Sequence, residues 1–335
     1  MRIHRLLAVL CTVAVATVSV AAQSDGFRFR SGVELVNVTA TVTDDNGRFV
    51  SDLNKEDFTV YDDGVKQEVA YFSNDRVPVS LGILLDTSGS MDGNKMAYAR
   101  AAINRFVNDL LGPEDEMFFM EFASRPRVTQ QWTKDRRLIT RAVARTNASG
   151  GTAMYDAVTD ALPLASAGEN RKKALLVISD GNDADSSVSV SEVRYLIRES
   201  EVLVYALGVD AAVRSSGGQV TRPPVQIPTP FPFPIPGRRP VLPQISGGIV
   251  TRSSGDRVNA NALRQMTDDT GGRTEIVRGF DGLDAATARI ADELSKQYSL
   301  GYANSGEKDG RWHAIRVEVR DRTLTVRARR GYVAS

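Results

Sequence analysis

Asp86-Thr87-Ser88-Gly89-Ser90 puts a carboxylate and two hydroxyls at alternate positions of a short loop. Side chains spaced in this way can turn toward one point. Oxygen donors of this kind suit a hard divalent cation, Mg²⁺ first, with six ligands near about 2.1 Å. Gly150-Gly151-Thr152 offers a further hydroxyl, and Ser179-Asp180-Gly181-Asn182-Asp183 a further carboxylate. Each residue also has a plain local use. Ser88 and Ser90 could cap a helix or make a turn, and Asp180 could open an Asx turn. Asp92 reads as the N-cap of the helix after it, and Asp183 and Asp185 as solvated loop residues.

The elements around these residues fall into three regimes. From Val33 to Phe72, Val36, Val38, Ala40 and Val42 alternate with polar residues, the period of a half-buried strand. Asp45-Asn46-Gly47 reads as a turn. Phe58 to Tyr61 reads as a second strand, ended by Asp62-Asp63-Gly64. From Pro78 to Val209, apolar strands (Val79–Leu85, Met117–Phe122, Lys173–Ser179, Val202–Val209) alternate with helical patterns at Met96–Leu111, Leu138–Ala144, Ala153–Leu164 and Val190–Glu199. Further helices are expected at Asn259–Thr267 and Leu283–Lys296. Strands buried on both faces and separated by helices imply α/β architecture, a doubly wound, mostly parallel sheet. Between Asp210 and Arg257 lie nine of the 13 prolines, which suits a solvated, semi-rigid loop or a docking arm. The tail, 298–333, alternates again at Tyr298–Tyr302 and at Ile315, Val317 and Val319.

This gives a division into an N-terminal β segment, 25–77, an α/β domain, 78–297, with the Pro-rich insert 211–256, and C-terminal strands, 298–333. The α/β domain is expected to be inserted into, or flanked by, a small β-sandwich built from both chain ends. In an open α/β sheet, ligands bind beyond the carboxyl ends of the strands. Asp86, Ser88, Ser90, Thr152 and Asp180 are therefore expected to converge there. Without an ion, Asp86 and Asp180 would repel one another in a partly buried cleft.

In this order and context the sequence resembles the von Willebrand factor type A domain, over Pro78 to about Lys296. The five residues match its metal-ion-dependent adhesion site: Asp-x-Ser-x-Ser, then a distant Thr and a distant Asp. The β flanks, with Tyr298-x-Leu-x-Tyr302 and Arg330-Gly331-Tyr332, further resemble secreted bacterial proteins of the VWFA-related family named from Acidobacteria. The resemblance implies direct ligation by Ser88 and Ser90, and ligation by Thr152 directly or through water. Asp86 and Asp180 would act largely through water or directly, according to the state of the site. It also implies Mg²⁺, with Mn²⁺ or Ca²⁺ as substitutes, and a protein partner whose Asp or Glu carboxylate completes the coordination.

Composition narrows the alternatives. With 335 residues, 42% hydrophobic and 25% charged, the chain is long enough for about two domains with real cores. A net charge of +1 supplies no basic field for nucleic acid. Arg2, His4 and Arg5 precede the apolar run Leu6–Val20, which leads to Ala21-Ala22, the pattern of a signal peptide, 1–22, cleaved after Ala22. An uncleaved membrane anchor is disfavoured because the run is short for a span. A lipoprotein is disfavoured because Leu10 precedes Cys11. Cleavage would place the protein outside the cytoplasm, secreted or periplasmic, with no transmembrane span. It would also take the net charge to −1 and leave His313 as the single histidine, with no thiol.

The leading expectation is a non-enzymatic, metal-dependent protein-binding module. The alternative is a metal-dependent hydrolase or phosphatase using Asp86 or Ser88. A triad would have to recruit His313, which sits beside a strand pattern of the other segment, where a structural role fits better. The basic residues of Arg316–Arg330 are expected on the solvated face of the tail strands.

Overall fold

The computed structural model describes residues 34–210, 258–279, 282–304 and 308–334. The expected leader, 1–22, and the Pro-rich segment, 211–256, lie outside them. The N-terminal segment gives β1 (Glu34–Thr43), β2 (Phe58–Asp62), β3 (Val65–Gln67) and β4 (Val69–Ser73). The α/β segment follows with strands β5 (Val79–Asp86), β6 (Glu116–Phe122), β7 (Pro126–Thr133), β8 (Lys172–Ser179), β9 (Leu203–Asp210) and β10 (Thr274–Arg278). Its helices are α1 (Asn94–Arg105), α2 (Arg136–Ala144), α3 (Met154–Ser166), α4 (Val190–Glu199), α5 (Ala260–Thr267) and α6 (Leu283–Ser295). The tail adds β11 (Tyr298–Asn304), β12 (Trp312–Val319), β13 (Thr325–Ala328) and β14 (Gly331–Val333).

The six-stranded sheet runs β10-β9-β8-β5-β6-β7, parallel except for β7, which pairs antiparallel with β6 at the edge. Central β5 is buried along its whole length, so its side chains feed two cores. Leu81, Ile83 and Leu85 pack with α1, α2 and α6, and Leu84 with α3, α4 and α5. Gly82 leaves the room that the Phe118 ring fills, since a Cβ there would stand 2.4 Å from it. Each fully buried aliphatic side chain contributes about 1.5–3 kcal/mol, so the two apolar faces fix the strand register.

Two departures from the sequence pattern have local causes. The pattern through Leu111 is not one α-helix: α1 gives way to a π turn over Phe106–Leu110, which keeps Phe106 and Val107 in the core ahead of Gly112-Pro113. Strand β7 carries no clean alternation because it is an edge strand with mostly half-buried residues, and the sequence pattern missed it.

Two four-stranded antiparallel sheets, β13-β1-β11-β4 and β14-β12-β2-β3, share a third core. Val36, Val38 and Leu300 of one sheet meet Phe58, Val60 and Ile315 of the other. Each sheet mixes strands from both ends of the chain: β1 lies between β11 and β13, and β2 pairs with β12. Helix α6 passes directly into β11, and a polar knot ties the sandwich to the α/β part there. Glu293, fully buried, accepts from Tyr205 Oη at 3.1 Å and pairs with Arg327. Gln297 donates to Tyr205 Oη at 2.8 Å, and Lys172 Nζ donates to the Leu294 carbonyl at 2.8 Å. Arg330 reaches Asp269 at 3.7 Å. The tail arginines are thus not simply a solvated face, because Arg327, Arg329 and Arg330 all pair with carboxylates of the α/β part.

Candidate metal centre

Strand β5 ends at Asp86, and β8, its parallel neighbour, ends at Ser179 with Asp180 just beyond. Both carboxylates therefore emerge at the same sheet edge. The Asp86 side chain is fully buried. Its Oδ1 accepts the Ser88 N–H at 2.8 Å and its Oδ2 the Ser179 hydroxyl at 2.6 Å. Desolvation dominates these bonds, with Asp180 nearby adding repulsion, and pushes the Asp86 carboxyl up to about 6. Ser88 begins a 3₁₀ turn over Gly89–Met91, which brings its Oγ to 3.0 Å from Ser90 Oγ.

Backbone hydrogen bonds knit the three loops together. Ser149 N–H donates to the Thr87 carbonyl at 2.7 Å, and Gly89 N–H to the Gly150 carbonyl at 3.0 Å. Thr152 is buried, and its carbonyl accepts from both Ala184 and Asp185 at 2.9 Å. Gly181, with φ of 77°, turns the chain after Asp180 against the Asn259 carbonyl, which a Cβ would approach to 2.6 Å. Asp86, Ser88 and Ser90 are in direct hydrogen-bonded sequence. Thr152 and Asp180 are brought to the same edge through backbone and strand pairing, not through a side-chain bond to the two serines.

Asp180 does not face Asp86 uncompensated. Lys95 Nζ donates to Asp180 Oδ2 at 2.9 Å, with both side chains buried. The expected repulsion is offset by this internal cation, which sequence reasoning missed. A signal existed: Lys95 stands in the first turn of α1, where the helix dipole disfavours a cation unless it has a partner. Ser179 was also missed, although it immediately precedes Asp180. Two plain local readings are corrected as well. Asp92 is not the N-cap of α1; Gly93 is, and the Asp92 carboxylate accepts only the Gly93 N–H, at 2.7 Å. Asp183 is not merely solvated: its Oδ1 accepts from the Met154 and Tyr155 N–H groups and from Ser186, holding the start of α3. Asp185 is exposed, as expected.

The donor set fits a small hard cation. In an octahedron with metal–oxygen distances near 2.1 Å, adjacent ligands are about 3.0 Å apart, and the two serine hydroxyls stand at that separation. Asp180 keeps Oδ1 toward the Asn182 N–H at 3.2 Å while Lys95 takes Oδ2, an arrangement suited to ligation through water.

Residues 81–182 match the family model of the von Willebrand factor type A domain. The chain carries a von Willebrand factor type A domain. The chain is 29% identical over 111 residues to the uncharacterized protein sll0103 of Synechocystis, a match that covers 32% of this chain and 26% of the relative. The matched region thus spans about a quarter of that curated relative's length. Among solved structures, an aerotolerance-related membrane protein of Bacteroides fragilis is 22% identical, with a TM-score of 0.47, covering 65% of this chain and 99% of that one. A von Willebrand factor type A protein of Catenulispora acidiphila is 14% identical, with a TM-score of 0.48, covering 89% of this chain and 73% of that one. Among the described residues, no helix is long and apolar enough to cross a membrane.

Proposed function

We propose that the type A domain is a non-enzymatic protein-binding module acting outside the cytoplasm. Asp86, Ser88, Ser90, Thr152 and Asp180 would hold a divalent ion, Mg²⁺ first, and through it an acidic residue of a partner. The observation that carries this reading is the pair of serine hydroxyls 3.0 Å apart beside a fully buried carboxylate. When bound, the ion supplies an electrophilic position for an anionic oxygen. The chain's own residues set the charge there. Asp86 and Asp180 bring two negative charges and Lys95 one positive, so a divalent ion leaves the site net positive. An incoming carboxylate is then favoured over a neutral ligand.

The hydrolase reading draws less support. His313 lies on β12 in the sandwich, bonded to Asp63 and Asp309, and so does not serve Ser88. The extracytoplasmic setting rests on the leader pattern in 1–22. The test is co-precipitation from an extracytoplasmic extract by the full chain, in Mg²⁺ and in chelator. A partner retained in Mg²⁺, released by chelator and not held by Asp86→Asn is the expected outcome. Retention of the same partner by Asp86→Asn regardless of chelator would refute the reading.

A further inference from the structure

A second chemistry-bearing cluster lies in the sandwich, at the hairpin joining β2 to β3. Asp63-Gly64 makes its two-residue turn with positive φ at both positions, 47° and 80°, the geometry that Asp-Gly favours. The turn sets Asp62 and Asp63 against β12, where Ile315 pairs with Asp62 and the Asp63 N–H donates to the Ala314 carbonyl at 2.9 Å. One carboxylate oxygen from each aspartate and a ring nitrogen of His313 lie within 4.8 Å of one another.

Each of the three side chains is anchored through its other polar atom. Asp62 Oδ2 accepts the hydroxyls of Tyr302 at 2.8 Å and Tyr332 at 3.0 Å. Asp63 Oδ1 accepts the Ala314 N–H at 2.8 Å. His313 Nε2 meets Asp309 Oδ1 at 3.1 Å, and its ring stacks on Tyr332 at 5.3 Å. Left over from these bonds are Asp62 Oδ1, Asp63 Oδ2 and His313 Nδ1, the last two 2.9 Å apart. Asp62 is nine-tenths buried, and its Oδ1 has no hydrogen-bond partner among the described residues. A buried carboxylate oxygen left without a donor is costly, and so calls for a ligand.

We propose that Asp62, Asp63 and His313 form a site for a borderline divalent transition ion, zinc first, separate from the Asp86 loop. One imidazole nitrogen and two carboxylate oxygens are donors that zinc accepts, whereas Mg²⁺ and Ca²⁺ favour oxygen alone. Asp309 takes the position of the carboxylate that typically orients a ligating histidine from its far nitrogen. The two tyrosine hydroxyls orient Asp62 in the same manner. Of the neighbouring arginines, Arg329 packs 5.7 Å from the Tyr332 ring and reaches Glu201 at 3.4 Å, while Arg311 reaches Asp309 at 3.9 Å. The Asp63 side chain is 53% exposed, which gives an ion a path from solvent and leaves room for a water as fourth ligand. An ion there would pin β2 to β12, a pairing between the N-terminal and C-terminal segments.

The test is calorimetric zinc titration of the chelator-stripped full chain in excess Mg²⁺, with Co²⁺ absorption reporting a tetrahedral centre. The parent and the Ser88→Ala/Ser90→Ala variant are expected to bind one zinc alike at this centre. His313→Gln and Asp62→Asn are expected to lose about tenfold or more in affinity. Because Asp62→Asn also disturbs buried tyrosine bonds, the partly exposed His313→Gln variant decides the matter if the former fails to fold. No zinc bound by the parent, equal binding by His313→Gln, or loss confined to the serine variant would overturn the proposal.

Discussion

At Asp86, function and stability pull in opposite directions. The carboxyl has lost its water, and its folded value of about 6 stands above the ordinary 3.8. A folded-state value raised in this direction means that the folded chain binds the proton more tightly than the unfolded chain. The contribution of Asp86 is therefore most favourable below about pH 4 and declines as pH rises through 6. By pH 7 it amounts to a penalty on the order of 3 kcal/mol in the metal-free protein. Asp86→Asn keeps the shape, can still accept the Ser88 N–H and carries no charge. In chelator at pH 7 it is expected to unfold at higher urea than the parent. The difference should shrink at pH 5, and saturating Mg²⁺ should stabilise only the parent. Equal urea midpoints at both pH values would contradict this. Lys95 shows what the motif alone could not convey. The five oxygen-bearing residues are legible because they cluster at strand ends, but a lysine on an otherwise amphipathic helix looks like surface until its partner, 85 residues away, is in place.

Among the elements, the central strands and five of the six helices were legible because burial on both faces of the sheet, or on one face of a helix, writes a simple period. Helix α1 was legible in position only; its π turn answers to the packing of Phe106 and Val107, which no periodicity encodes. Strand β7 was not legible, since its polar residues pair with only one neighbour, and the short β3 and β14 are defined by pairing more than by composition. The passage from α6 to β11 is the element junction with the most at stake. Glu293 is fully buried there between Tyr205 and Arg327, and the burial and the nearby carboxylate push the Tyr205 hydroxyl well above its ordinary value. Removing the carboxylate leaves Tyr205 without its acceptor and Arg327 without a buried counter-charge, although Arg327 is one-third exposed and can recover water. Glu293→Ala is accordingly expected to cost about 2–3 kcal/mol, read as a shift in the urea midpoint. A change below about 0.5 kcal/mol, the range of ordinary surface substitutions, would show that the knot contributes little.

For the whole molecule, the charge is near neutral, and histidine and cysteine are scarce. Set beside the fold, these features leave oxygen donors at the carboxyl edge of the α/β sheet as the richest chemistry of the type A domain. The one histidine in the described residues sits in the sandwich with three aspartates. That second grouping was not legible, because Asp62, Asp63, Asp309 and His313 are separated by up to 251 residues and meet only through the pairing of β2 with β12. The central claim is that the Asp86 loop is a divalent-ion site from which partner binding follows. It is tested most directly by calorimetric Mg²⁺ titration of the full chain carrying His313→Gln, alongside the same chain with Ser88→Ala and Ser90→Ala added. One Mg²⁺ bound by the first protein and none by the second is the predicted result; equal Mg²⁺ binding by the two, or none by either, would contradict it.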